Sequence, residues 1–199
     1  SNLIATLVNN DLDAESVRDT LLSVHSIGRD GQAHITDSLP RLPDLGEIPS
    51  PYCSGKMDEF FDGDLLPIIQ TNRGCPFKCT FCDEGIGYYN KVNRNAQQQV
   101  DEELLYIAAR MSEGHKRGGR NDLRIADSNF GMYKQDLDTC RTLARCQEEF
   151  GWPGDIMADT GKNKRDRVLE ASELVNHVLR LTGSVQSLTP AVMVNIKRD

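Results

Sequence analysis

The stretch that decides the fold and function of this chain is TNRGCPFKCTFC, residues 71–82. It contains three of the six cysteines, Cys75, Cys79 and Cys82, in the spacing C-x-x-x-C-x-x-C. Thiolates this close in sequence favour metal ligation over disulfides, and soft sulfur ligands select zinc or iron–sulfur centres. Structural zinc normally takes four ligands, yet no second cysteine pair follows and His115 lies beyond a predicted helix. The stretch therefore predicts a metal centre with three protein thiolates and an open fourth position.

The charge balance argues against a nucleic-acid surface. The 199 residues carry 23 basic and 30 acidic side chains, a net charge of −7, whereas a nucleic-acid surface would show a basic patch. No apolar run approaches the ~20 residues of a membrane span, and no secretory leader is visible. We therefore expect a cytoplasmic protein in a reducing compartment, with neither a membrane nor a nucleic acid as partner.

The first third of the chain is predicted to precede the main fold. Residues 1–38 are interpreted as a connector or the tail of an upstream domain, with a short helix over residues 11–24. A hairpin is predicted over residues 24–36, because Asp30-Gly31 supplies the positive φ angles of a two-residue turn. Four prolines within twelve residues then predict an extended linker over residues 39–64.

From Leu65 the pattern changes to short strands that alternate with helices. Strands are predicted over residues 65–71, 122–130, 154–161 and 184–188, with helices over 100–115, about 136–150, 163–183 and from Pro190. Such β-α units build a parallel sheet with helices on its faces. The predicted fold class is therefore α/β: a partial TIM-like (β/α) barrel of about four units over residues 65–199, preceded by the hairpin and the linker. Because the last strand would be a bare edge, we expect these residues to be the N-terminal part of a larger barrel.

The cysteines follow the first of these strands, and parallel α/β folds place their sites at the carboxyl ends of strands. A cubane of four irons bound by three protein thiolates keeps one iron free for a small molecule, which would explain the open fourth position. Plain ferredoxins instead pack four cysteines per cluster into a tighter run.

The segment RGCPFKCTFC resembles the cluster loop of the radical S-adenosylmethionine (radical SAM) superfamily, with Phe81 as its aromatic residue. Residues 48–82 are similar to the linker and barrel entry of the cobalamin (B12)-binding-domain branch, and the resemblance runs from about Leu39 to the C-terminus. It implies that Cys75, Cys79 and Cys82 bind a [4Fe-4S] cluster, that S-adenosylmethionine chelates the fourth iron, and that Phe81 lies near the adenine. One electron would then cleave the sulfonium C–S bond and release a 5′-deoxyadenosyl radical.

Further site residues are proposed where other predicted strands end. Asp127, Ser128 and Asn129 match by position a segment that contacts the methionine amino group in relatives of the family, although ordinary turn chemistry also explains them. Asp159, Thr160 and Lys162 follow the third strand, and Gln186 and Ser187 lie in the fourth; each set could contact ribose, a carboxylate or substrate, or simply cap a turn. Cys53 is interpreted as incidental and Cys140 as core packing.

Two functions from different classes fit these observations. The first is a radical SAM enzyme that uses cobalamin bound outside these residues and an electron donor such as flavodoxin or ferredoxin. Methyl transfer fits the linker resemblance, but these residues contain no cobalamin-ligating motif. The alternative is a non-catalytic zinc or iron–sulfur electron-transfer module.

Overall fold

The computed structural model describes residues 2–18, 20–161 and 163–198. The chain divides into two compact units, Ser1–Leu42 and Pro43–Asp199, and the division falls within the Pro-rich segment. No helix in the described ranges is both long and apolar enough to span a membrane.

The first unit contains the predicted hairpin but little of the predicted helix. Its elements are α1 (Asn2–Asn9), α2 (Ala14–Val17), β1 (His25–Ile27) and β2 (Ala33–Ile35). The prediction of one helix over residues 11–24 is wrong, since Asp11 and Leu12 take left-handed φ angles of 53° and 60°, which a helix cannot include. Asp19, within the same prediction, lies outside the described residues. The strands pair antiparallel as predicted, but the loop is longer than two residues: Gly28 N–H donates to the Gln32 carbonyl at 2.9 Å.

The second unit is an α/β fold around one parallel sheet, as predicted. Its elements are β3 (Ile68–Ile69), β4 (Asn72–Arg73), β5 (Asn93–Arg94), α3 (Gln97–Lys116), β6 (Asp122–Phe130), α4 (Lys134–Phe150), β7 (Asp155–Thr160), α5 (Arg165–Leu174), β8 (Leu179–Arg180) and α6 (Pro190–Asn195). The strand order of the sheet is β3-β6-β7-β8 and every neighbouring pair is parallel. A separate antiparallel pair, β4-β5, lies between β3 and α3 in sequence.

The core lies where the helices pack against one face of this sheet. Alternate residues of β6 and β7, among them Leu123, Ile125 and Ile156, are fully buried, as the period of two in a strand requires. The helices contribute Leu104 and Cys140, each with 0% exposure, and the prediction of core packing for Cys140 is confirmed.

The last β-α unit differs from the prediction. Helix α5 ends at Leu174 rather than near Gly183, because Asn176 and His177 adopt left-handed φ angles of 55° and 61°. The fourth strand is Leu179–Arg180, where buried Leu179 pairs with Ile156; the prediction of a strand over residues 184–188 is wrong. Residues 184–188 carry exposed apolar side chains and have no buried face to hold them against the sheet.

The Pro-rich segment is more ordered than a plain linker. It forms two short 3₁₀ turns, Leu45–Glu47 and Asp58–Phe60. The hydroxyl of buried Tyr52 donates to the carbonyl of Ile68 and accepts from its N–H, both at 3.0 Å. These contacts cover the backbone of β3, the edge strand of the sheet, which would otherwise present unpaired groups.

Candidate iron–sulfur site

The cysteines lie on a loop, residues 74–92, that starts and ends on the antiparallel pair β4-β5. Asn72 is paired with Arg94 and Arg73 with Asn93, so the two ends of the loop lie side by side. Asn95 strengthens this closure: its N–H donates to the Thr71 carbonyl at 2.9 Å and its side-chain amide to the Gln70 carbonyl at 2.8 Å. We call residues 74–92 the cysteine loop.

Asp127 fastens the start of the cysteine loop to β6. Its carboxylate is 1% exposed and accepts from the Thr71 N–H at 2.8 Å, the Asn72 side-chain amide at 2.7 Å and the Thr71 hydroxyl. Burial raises the pKa of Asp127, and the hydrogen bonds from Thr71 and Asn72 oppose that rise. Strand alternation explains the placement, because Asp127 shares the buried face of Leu123 and Ile125. Asp127 thus holds the loop, and its carboxylate does not line the pocket described below.

Arg94 fastens the other end of the cysteine loop to α4. Its guanidinium carbon lies 4.0 Å from the centre of the Tyr133 ring and its Nη1 3.6 Å from Asp136 Oδ1. The other oxygen of Asp136 accepts from the Tyr133 N–H at 2.9 Å at the start of the helix. Burial raises the pKa of Asp136 to about 6 and that of the Tyr133 phenol to about 12. One cation and one buried acid therefore hold the loop's exit against the helix.

Within the loop, backbone geometry sets the position of Cys75. Gly74, directly before it, has a backbone φ angle of 113°, which residues other than glycine rarely adopt. The Cys75 N–H then donates across the loop to the Tyr89 carbonyl at 2.9 Å. Cys75 is 9% exposed and is the most buried of the three cysteines.

Cys79 and Cys82 lie on a tight turn that depends on Gly85. The Cys82 N–H donates to the Cys79 carbonyl at 3.2 Å, and the Gly85 N–H donates to the Cys82 carbonyl at 2.9 Å. A Cβ atom at Gly85 would lie only 2.1 Å from the Cys79 carbonyl oxygen. Only glycine allows this approach of the two backbones.

All three cysteines line one pocket of about 140 Å³ at the carboxyl edge of the sheet. Polar side chains from other parts of the chain also line this pocket: Ser128 and Asn129 near the end of β6, Asn163 after β7, and Gln186 and Arg198. Phe77, Phe81 and Glu84 of the loop complete the wall. The predicted site residues Phe81, Ser128, Asn129 and Gln186 are therefore brought together with the cysteines.

The thiols form a donor set of the kind that a cluster needs. The side-chain amide of Asn129, which is buried, donates to Cys75 Sγ at 3.3 Å. In the described part of the chain, no three His, Cys, Asp or Glu side chains converge tightly enough to hold a metal ion. The three thiols are free and line the same pocket, and thiolates are the ligands that iron–sulfur clusters take. The donor set therefore fits a cluster with three protein ligands.

Three other predicted site residues, Asp159, Thr160 and Ser187, do not line this pocket. Asp159 is paired with Arg124, with 2.6 Å between the carboxylate and the guanidinium, and does not line the pocket. Thr160 is buried and its hydroxyl donates to the Thr182 carbonyl at 2.8 Å. Ser187 lines a neighbouring cavity, and Lys162 lies outside the described residues.

Four pocket residues were not singled out in the sequence. Phe77 and Glu84 could have been found, since they lie within the cysteine loop itself. Asn163 and Arg198 carry no such signal. Arg198 reaches the pocket because the Ile196 carbonyl accepts from the Thr80 N–H at 3.1 Å, which brings the end of α6 against the loop.

Comparisons with known proteins identify the relatives of this chain. No family model matches it. It is 29% identical over 192 residues to the cobalamin-dependent radical SAM methyltransferase TokK of Streptomyces tokunonensis, covering 94% of this chain and 26% of TokK. It is 32% identical over 166 residues to the 2-(S-pantetheinyl)-carbapenam-3-carboxylate methyltransferase of Streptantibioticus cattleyicolor, covering 78% of this chain and 23% of that enzyme. The chain thus spans about a quarter of the length of the curated relatives it matches.

A solved structure shows the same fold. The radical S-adenosylmethionine methyltransferase TsrM from Kitasatospora setae, with cobalamin and a [4Fe-4S] cluster bound, superposes with a TM-score of 0.52 at 13% identity, over 89% of this chain and 34% of that one. The sequence relatives, the shared α/β fold and the three-cysteine loop agree. The chain belongs to the cobalamin-associated branch of the radical SAM superfamily.

Proposed function

We propose that this chain carries the cluster and S-adenosylmethionine site of a cobalamin-dependent radical SAM methyltransferase. The observation that carries the proposal is the set of three free thiols, Cys75, Cys79 and Cys82, on one loop around one pocket at the carboxyl edge of a parallel sheet. Its support is the sequence similarity to named methyltransferases over most of the chain.

The three cysteines would hold a [4Fe-4S] cluster and leave its fourth iron to the amino and carboxylate groups of S-adenosylmethionine. When bound, the cluster supplies the single electron that cleaves the sulfonium C–S bond into methionine and a 5′-deoxyadenosyl radical. A flavodoxin or ferredoxin is the proposed source of that electron. The chain's own task is to hold the thiols, orient the nucleotide and exclude water.

The pocket wall offers a partner for each part of S-adenosylmethionine. The Arg198 guanidinium suits its carboxylate, since planar guanidinium groups bind carboxylates through two donors. The Glu84 carboxylate suits the positive ammonium or sulfonium group. The exposed faces of Phe77 and Phe81 suit the flat adenine. The polar Ser128 and Gln186 are then left for the ribose hydroxyls or the amino group.

Anaerobic reconstitution of the full-length polypeptide with iron and sulfide tests the cluster. We expect a brown, oxygen-sensitive protein with four irons per chain that produces 5′-deoxyadenosine from S-adenosylmethionine when dithionite is added. Cys79→Ala should abolish both properties. Cys53→Ala is the matched control, because Cys53 is exposed and does not line the pocket. A colourless wild-type protein with one zinc ion would support the alternative module instead.

Methyl transfer is tested separately with S-adenosylmethionine labelled in its methyl group. With cobalamin present, label should appear as methylcobalamin on the full-length protein. If the cluster forms and 5′-deoxyadenosine is produced but no methylcobalamin appears, the methyltransferase assignment fails while the radical SAM assignment stands.

A further inference from the structure

We propose that Asn129 tunes the cluster by donating a hydrogen bond to the Cys75 thiolate, which raises the cluster's reduction potential. The inference rests on the proposed function, since it assumes that Cys75 is an iron ligand. Its geometric basis is the 3.3 Å contact between Asn129 Nδ2 and Cys75 Sγ. Both residues are nearly inaccessible, with 7% and 9% exposure, so water does not compete strongly for either partner.

Backbone hydrogen bonds fix the main chain of both residues. The backbone of Cys75 is fixed by its N–H bond to the Tyr89 carbonyl at 2.9 Å, and the positive φ angle of Gly74 before it directs the chain into this position. Asn129 lies near the end of β6, and its carbonyl accepts from the Met132 N–H at 3.2 Å. The carbonyl of the next residue, Phe130, accepts from the Gly161 N–H at 2.9 Å. These bonds fix the backbones of both residues, so their side chains start from positions that place Asn129 Nδ2 within hydrogen-bond distance of Cys75 Sγ.

The consequence for a bound cluster follows from electrostatics. Reduction adds one electron and therefore negative charge to the cluster and its thiolates. A donor N–H aimed at a ligating sulfur stabilises that extra charge, and hydrogen bonds to the sulfurs are among the factors that set cluster potentials. The effect is larger where the surroundings are dry, as they are at Cys75. Asn129 thus makes the cluster easier to reduce than the three thiolates alone would allow.

A potentiometric titration of the reconstituted, full-length protein tests this, monitored by electron paramagnetic resonance without S-adenosylmethionine. Asn129→Leu removes the donor, and Asn129→Asp replaces it with an acceptor of the same shape and a negative charge. We expect both variants to be reduced at more negative potentials than wild type, with the Asp variant shifted further. Asn163→Leu is the matched control, because Asn163 lines the same pocket but makes no hydrogen bond to a cysteine sulfur in the described part of the chain. Its potential should equal that of wild type.

The outcomes separate this inference from the proposed function. A wild-type protein that assembles no four-iron cluster overturns both. A wild-type cluster with the same potential as both Asn129 variants overturns the tuning role alone. Because Asp is isosteric with Asn, the Asp variant keeps the test valid even where Leu disturbs the loop, and its iron content per chain shows that the site is intact.

Discussion

Replacing Gly85 with alanine tests whether the turn that carries Cys79 and Cys82 is held by backbone contact. The added Cβ would lie 2.1 Å from the Cys79 carbonyl oxygen, whereas real Cβ atoms essentially never approach within 3.0 Å, so one backbone must move by roughly 0.9 Å. The atom in the way is backbone rather than the end of a flexible side chain, so the displacement falls on a cysteine that the cluster needs.

The expected magnitude follows from how precisely such sites are held. Functional groups must stay within about 0.5 Å of their productive geometry, and overpacking a tight contact costs about 1–3 kcal/mol. We therefore expect Gly85→Ala to incorporate less than half of the wild-type iron on anaerobic reconstitution, while its free energy of unfolding falls by about 1–3 kcal/mol.

Gly87→Ala is the control from the same loop. A Cβ at Gly87 would meet nothing within 4 Å, so this variant should incorporate as much iron as wild type. Iron and sulfide analysis per chain, with urea denaturation of the metal-free proteins, measures both quantities. Equal iron content in the Gly85 and Gly87 variants would refute the reasoning, because the loop would then tolerate the displacement.

Three further substitutions test the framework around the site. Asp127→Ala leaves the Thr71 N–H and the Thr71 hydroxyl buried without their acceptor, at about 1–3 kcal/mol each, so urea denaturation should show a loss of about 2–6 kcal/mol; a loss under 1 kcal/mol would contradict the anchoring role. Burial raises the pKa of Asp136 from 3.8 to about 6, so its stabilising contribution is present below pH 4 and is lost as the pH rises through 6. The unfolding free energy of wild type minus that of Asp136→Asn should accordingly fall by about 2–3 kcal/mol between pH 4 and pH 7, and a difference independent of pH would contradict the assignment. Leu104→Ala removes a fully buried side chain from the core and should cost about 2–5 kcal/mol without changing iron content after reconstitution; a loss of iron as large as that of Gly85→Ala would contradict the separation of core from site.

The strength of local signals explains which elements could be predicted. The strands over residues 122–130 and 155–160 and the first long helix were predictable, because alternation and helical periodicity are written in adjacent residues. The last unit was not, since the periodic face of the third helix continues past Leu174 in sequence while the chain turns at Asn176 and His177. The burial of Leu179 beside Ile156 is a contact between distant residues, and no local pattern marks it.

The amino-acid sequence by itself determined the chemistry of the site: three thiols at a fixed spacing, directly after a strand, at the carboxyl edge of a parallel sheet. Only the tertiary structure decided what the neighbouring polar residues do. Asp127 and Asn129 are two residues apart in sequence, yet their side chains have different partners. The Asp127 carboxylate accepts a hydrogen bond from the Thr71 N–H before the cysteine loop, whereas the Asn129 amide donates to Cys75 Sγ. The physical reason is that residue type and spacing are local properties, whereas the partner of a buried polar group is chosen by chain segments that meet only when the sheet and its loops have formed.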